Sequence, residues 1–228
     1  MDVCATPTVA GFLTGHPDGD ELRATARDAV ERHAAALNVI PRHFADAVAD
    51  HPAVVAWVQD IIRGSVPGPG GLRCQIQPGG SLLLVGITGS GKSHQLWGAL
   101  RALAVSGCTG TLVTAKAADL YAQMRPRPGV DSETVFAGYA KAAVLLLDDL
   151  GAAKGSDWVE EINSRLVDYR YEHGLRTMIT SNVPAEGDQA RGVRGFREQF
   201  GDRVTSRLRE MCSRVVLDGP DRRSAGAR

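Results

Sequence analysis

Net charge is the first thing this sequence lacks: 26 Lys and Arg stand against 26 Asp and Glu. No global field therefore draws the chain to nucleic acid or to a membrane. Cysteine is sparse, with Cys4, Cys74, Cys108 and Cys212 scattered, no C-x-x-C and no His pair nearby. That spacing argues against a zinc site and against a disulfide framework. No signal peptide opens the sequence, and no apolar run approaches the length of a membrane span. A cytoplasmic protein without a membrane partner is expected.

The charge that is present lies unevenly. Residues 1–63 carry Asp2, Asp18, Asp20, Glu21, Asp28, Glu31, Asp46, Asp50 and Asp60 against five arginines, while from Arg191 onward ten arginines face five acids. Arginine outnumbers lysine, which suits bidentate contacts to phosphate or carboxylate, although a GC-rich genome gives the same bias. At 228 residues the chain has room for one α/β core and a small appendage.

The most informative stretch is residues 81–93, Ser-Leu-Leu-Leu-Val-Gly-Ile-Thr-Gly-Ser-Gly-Lys-Ser. The apolar run Leu82–Val85 has the length of a strand buried on both faces. It meets Gly86, and Gly86, Gly91, Lys92 and Ser93 fit the spacing G-x-x-x-x-G-K-S/T. By chance this pattern falls in roughly one chain of this length in a hundred at average glycine usage. Leu96, Ala99, Leu100 and Leu103 then recur at helical spacing. Glycines let successive backbone N–H groups close around a phosphate at a helix N-terminus. Gly86, Thr88, Gly89, Ser90, Gly91, Lys92, Ser93 and His94 form the expected nucleotide-binding set. Lys92 reaches the outer phosphates, and the Ser93 hydroxyl is offered to Mg²⁺.

Along the chain, residues 1–19 are rich in Pro, Gly and Thr and are expected to be mobile. Asp20 caps a predicted helix to about Leu37, which Ile40-Pro41 breaks. A second helical stretch is predicted next, broken near Pro52 and resumed through Val54, Val55, Val58, Ile61 and Ile62. His33, His43 and His51 lack metal-ligand spacing and belong to helix surfaces. Residues 64–71 have linker composition. Beyond the first helix, Thr111–Thr114 reads as a strand, Ala117–Met124 as a helix, and Arg125-Pro-Arg-Pro-Gly129 as a stiff basic loop.

A helix Ser132–Lys141 leads into Ala143-Val-Leu-Leu-Leu-Asp-Asp-Leu-Gly151, a buried strand delivering two acids at its C-terminal edge. Asp148 is placed to hold magnesium through water, and Asp149 to orient or deprotonate the attacking water. Helix Asp157–His173 and strand Thr177–Asn182 follow, and the Asn182 carboxamide can meet that water and the γ-phosphate together. Arg191, Arg194 and Arg197 flank a further helix, Asp202–Glu210 forms another, and Val215–Leu217 a final strand. Arg203 and Arg207 stand four apart on one helical face.

Four stretches, GITGSGKS, LLLDDLG, TMITSN and GDRVTSRLREMCSRVVLDGPDRR, together resemble the DnaC/IstB-type branch of the AAA+ ATPases, which includes bacterial and phage replicative helicase loaders. The resemblance covers about residues 39–223. It implies that Asn182 is the sensor 1 residue and Arg207 the arginine finger, with Arg203 as companion. Ile40-Pro-Arg-His-Phe44 resembles the segment bordering the adenine, and Arg222 lies where the family often carries a further arginine. The short stretch after the last strand implies no helical lid domain.

The fold so implied is α/β: a lidless AAA+ core with a five-stranded parallel sheet, order 5-1-4-3-2, helices on both faces, and a small helical N-terminal segment. The expected divisions are a flexible start (1–19), a helical partner-binding segment with linker (20–71), the ATPase domain (72–220) and a flexible tail (221–228). The resemblance implies a Mg²⁺-dependent ATPase, binding ATP and hydrolysing it slowly to ADP and phosphate, that times delivery of a replicative helicase to single-stranded DNA. The helicase is gripped by the N-terminal segment. Weak single-stranded DNA contact falls to Arg125 and Arg127, and subunits self-associate on ATP or DNA. Within one chain Lys92 is the only cation the motifs place at the phosphates, so Arg207 is expected to complete a neighbour's site. An IstB-like transposition helper and an ATP-locked binding adaptor are the alternatives. A small-molecule kinase leaves the TSN strand unexplained.

Overall fold

The computed structural model describes residues 37–67, 74–108, 111–153, 155–184, 186–187 and 192–219. The predicted helix from Asp20, the segment 1–19, the tail 221–228, and Arg191 and Arg222 lie outside the described residues.

The central sheet has five strands: β1 (Ser81–Val85), β2 (Leu112–Lys116), β3 (Val144–Asp148), β4 (Arg176–Ser181) and β5 (Cys212–Val216). Their order is β2-β3-β4-β1-β5, all neighbours parallel, which is 5-1-4-3-2 counted from the other edge. Burial on both faces explains the apolar runs Leu82–Val85 of β1 and Val144–Leu147 of β3. Leu83, Val85, Leu145 and Leu147 enter one buried cluster, while Leu82, Leu84, Val144 and Leu146 enter the other.

Helices α1 (Pro52–Gly64) and α2 (Lys92–Val105) cover the second face. Leu96, Leu100 and Leu103 of α2 meet Val54, Trp57, Val58 and Ile61 of α1 in the same cluster. Each such side chain, fully buried, contributes about 1.5–3 kcal/mol. α1 is thus packed with the sheet, and Trp57 Nε1 donates to Gly80 O at 2.7 Å. The first face carries α3 (Ala117–Met124), α4 (Ser132–Ala140), α5 (Asp157–Glu172) and α6 (Phe196–Met211). α6 is kinked at Gly201 (φ 77°), so it joins the two helices expected there.

Three local expectations are corrected. Pro52 starts a helix instead of interrupting one, because it occupies the first turn, where its missing N–H costs nothing, and His51 Nδ1 accepts from Ala53 N at 3.3 Å. Before it, residues 42–44 form a single 3-10 turn, with no α-helix among residues 41–50. Finally, β2 runs to Lys116 and β5 begins at Cys212, because pairing with β3 and β1 extends both beyond their apolar centres.

Candidate active site

The C-terminal ends of β1, β3 and β4 converge on a cleft of about 710 Å³. On one wall the turn after β1 passes Gly89 (φ 85°) and Gly91 (φ 97°) into α2, conformations that glycine adopts without a Cβ clash. Lys92 is buried, and its ammonium donates to Gly86 O at 2.8 Å, Ile87 O at 2.7 Å and Ser90 Oγ at 3.5 Å. Thr88, Gly89, Gly91, Lys92, Ser93 and His94 line the cleft. Gly86 and Ser90 support the loop from behind: a Cβ on Gly86 would meet Leu217 O and lie 3.0 Å from Ser90 Oγ.

The opposite wall is built by hydroxyls. Ser93 Oγ donates to Asp148 Oδ1 at 2.9 Å, and Thr180 Oγ1 donates to the same oxygen at 2.6 Å. Thr180 Oγ1 also accepts from Asp149 N at 2.8 Å, so one buried hydroxyl fixes both acids. Asp149 sits at φ 61°, the one non-glycine residue with positive φ among the described residues. Its Oδ1 accepts from Asn182 Nδ2 at 2.8 Å. Lys92, Ser93, Asp148, Asp149 and Asn182 therefore share one cleft.

Ser93 and Asp148 offer hard oxygen donors side by side, which fits a magnesium ion. Among the described residues no group of three or more His, Cys, Asp or Glu could hold a metal. An ion here thus needs phosphate oxygens to complete its shell, as magnesium at such sites does.

His43 and Phe44 also line the cleft, with ring centroids 4.0 Å apart, and Phe44 stacks toward Trp97 at 6.0 Å. The chain that carries them is pinned to α2. His94 Nε2 accepts from Val48 N at 3.3 Å, and Gln95 Oε1 accepts from Asp50 N at 3.1 Å and His51 N at 3.0 Å. Gly98 permits this approach, since a Cβ there would collide with Val48 and Ala49 backbone.

Arg207 is not among the residues lining this cleft. Its Nε lies 3.5 Å from Asp168 Oδ1 and its guanidinium 4.2 Å from the Tyr171 ring centroid, while Arg203 pairs with Asp168 Oδ2 at 2.7 Å. Arg125 and Arg127 are exposed on the loop after α3, with Arg125 5.5 Å over the Trp158 ring. One expectation is corrected: Lys92 is not the only cation of its own chain here, because Lys116 at the end of β2 also lines the cleft. Sequence patterns also missed Thr180, a buried polar residue near the C-terminal end of β4.

No family model matches the sequence, and no curated protein does. Solved structures do match. A crystal structure of the DnaC helicase loader is 25% identical with a TM-score of 0.58, over 78% of this chain and 100% of that one. The chain has the AAA+ fold and is similar to the DnaC type. A DnaI crystal structure matches with TM-score 0.58 and 20% identity, over 81% of this chain and 94% of DnaI. The replication initiator DnaA bound to AMPPCP and single-stranded DNA matches with TM-score 0.55 and 17% identity, over 76% of this chain and 48% of that one. Among the described residues of this AAA+ protein, no helix is long and apolar enough to cross a membrane.

Proposed function

We propose that this chain binds ATP with Mg²⁺, hydrolyses it slowly to ADP and phosphate, and acts in replication by delivering a replicative helicase to single-stranded DNA. The observation that carries the ATPase reading is the arrangement of Ser93, Asp148, Asp149 and Asn182 around one cleft beside Lys92. Lys92 and the N–H groups of residues 88–92 hold the phosphates. Magnesium, when bound, neutralises phosphate charge; Ser93 and Asp148 are the residues that hold it. Asp149 takes a proton from the attacking water, and Asn182 fixes the carboxylate that does so. Arg207 serves a neighbouring subunit, which its place outside its own cleft supports.

The helicase partner rests on likeness to the DnaC helicase loader, and a DNA partner on likeness to DnaA bound to single-stranded DNA. Arg125 and Arg127 are the DNA contacts, and affinity through phosphates falls steeply with salt. The deciding experiment is phosphate release by the full chain with and without Mg²⁺, in wild type and Lys92→Ala. Magnesium-dependent release that the variant lacks supports the reading; equal release by both removes it. Pull-down of a replicative helicase by the full chain tests the partner.

A further inference from the structure

Lys116 ends β2 directly beside Asp148, its register partner on β3, and lines the same cleft as Lys92, Ser93, Asp149 and Asn182. It is exposed, and among the described residues its ammonium makes no hydrogen bond and no ion pair, not even with the two neighbouring aspartates. A lysine that served only to neutralise Asp148 or Asp149 would be paired with one of them. Lys92 differs in every respect: it is buried and fastened to the loop carbonyls.

The position is also a poor one for lysine. Lys116 is the N-cap residue of α3, with extended backbone (φ −76°, ψ 143°) and no side-chain cap hydrogen bond. Ser, Thr, Asp or Asn would accept from the first turn there, whereas an ammonium has no acceptor and adds positive charge to the positive end of the helix dipole. A residue that opposes its local structure twice, and points its charge into a cleft, marks a functional position.

On the reading that the cleft holds a nucleoside triphosphate, the acids and Asn182 stand at the terminal phosphate. Lys116 lies one strand beyond the acids, about 4.8 Å further from the phosphate loop. We infer that Lys116 is a second cation of this site, acting within its own chain on the terminal phosphate of the bound triphosphate. It therefore discriminates triphosphate from diphosphate, while Lys92 holds both.

The test is titration of the full chain with fluorescent ATP and ADP analogues in Mg²⁺, for wild type, Lys116→Met, Lys116→Ser and Lys92→Met. Both Lys116 variants should lose about tenfold in ATP affinity, the effect of one charged hydrogen bond, and keep ADP affinity. Lys92→Met should weaken both. Lys116→Ser should in addition raise the melting temperature by about 2 °C, because serine caps α3. Equal loss of ATP and ADP affinity, or no loss of either, would overturn the inference while leaving the nucleotide site standing. Wild type binding neither analogue would overturn the site and the inference together.

Discussion

The side-chain amide of Asn182 donates to Oδ1 of Asp149 at 2.8 Å, joining the end of β4 to the turn after β3. Asp149→Asn keeps an acceptor for Asn182 but cannot take a proton. It should bind ATP normally and slow single-turnover hydrolysis by about 10³-fold, and Asn182→Ala by about 10²-fold. Rapid-quench assays beside ATP titrations check both. Wild-type hydrolysis in Asp149→Asn would reduce the second acid to a turn residue.

Arg207 and Arg203 share Asp168 on α5, and neither lines the cleft beside Lys92. Arginines supplied to a phosphoryl-transfer site are worth about 10³–10⁵ in rate, far beyond a surface ion pair. Arg207→Ala and Asp149→Asn should each be inactive alone. Mixed, they can form an interface with Asp149 from one chain and Arg207 from the other, and activity should partly return. No recovery, with co-assembly verified by light scattering, would show that Arg207 does not act across subunits.

Arg170 is a buried cation that has no carboxylate partner among the described residues. Its guanidinium donates to Thr177 Oγ1 at 2.7 Å, to the carbonyls of Tyr139, Ala140 and Ala142 at 3.0, 3.1 and 3.0 Å, and to Arg176 O at 2.6 Å. Burial pulls its pKa down to about 10, which still leaves it charged at neutral pH. It closes the C-terminal end of α4 and ties α5 to β4. Arg170→Met leaves these acceptors unsatisfied and should cost about 3 kcal/mol in urea denaturation. Arg170→Lys should not rescue it, since one ammonium cannot span the fork.

Burial pushes the Cys212 thiol up from 9.0 to about 12. The protonated form is therefore kept by the fold and lost by the unfolded chain between those values. This contribution to stability is present below about pH 9 and disappears as pH rises toward about 12. At pH 8.5 iodoacetamide should leave the tryptic peptide 210–214 unlabelled in the folded protein and label it fully in urea. Labelling of the folded protein at the denatured rate would mean that α6 is not seated on β1.

The phosphate loop, the acid pair and the T-S-N strand are legible because each is a short run whose chemistry is carried by adjacent residues. The strand order follows from the family resemblance and was found as expected. Lys116 was not legible, since its role depends on cross-strand register with Asp148, which no local pattern states. Thr180 was hidden for the same reason. Arg170 looks like one more surface arginine on an amphipathic helix until α4 and β4 close over it. Pro52 was misleading because proline both ends helices and begins them, and the difference lies in the cap at His51.

The left-handed backbone at Asp149 has a consequence for descent. At φ 61° a β-branched or bulky side chain is strained by roughly 1–2 kcal/mol, whereas Gly, Asn and Asp sit there readily. In the genetic code, the aspartate codons lie one base from those of asparagine and of glycine. On the proposed reading, the two cheapest mutations at this position thus remove the general base and spare the fold. If the proposed hydrolysis holds, a lineage carrying this turn stands a single base away from exchanging a timer that resets itself for a clasp that, once shut on its nucleotide, stays shut.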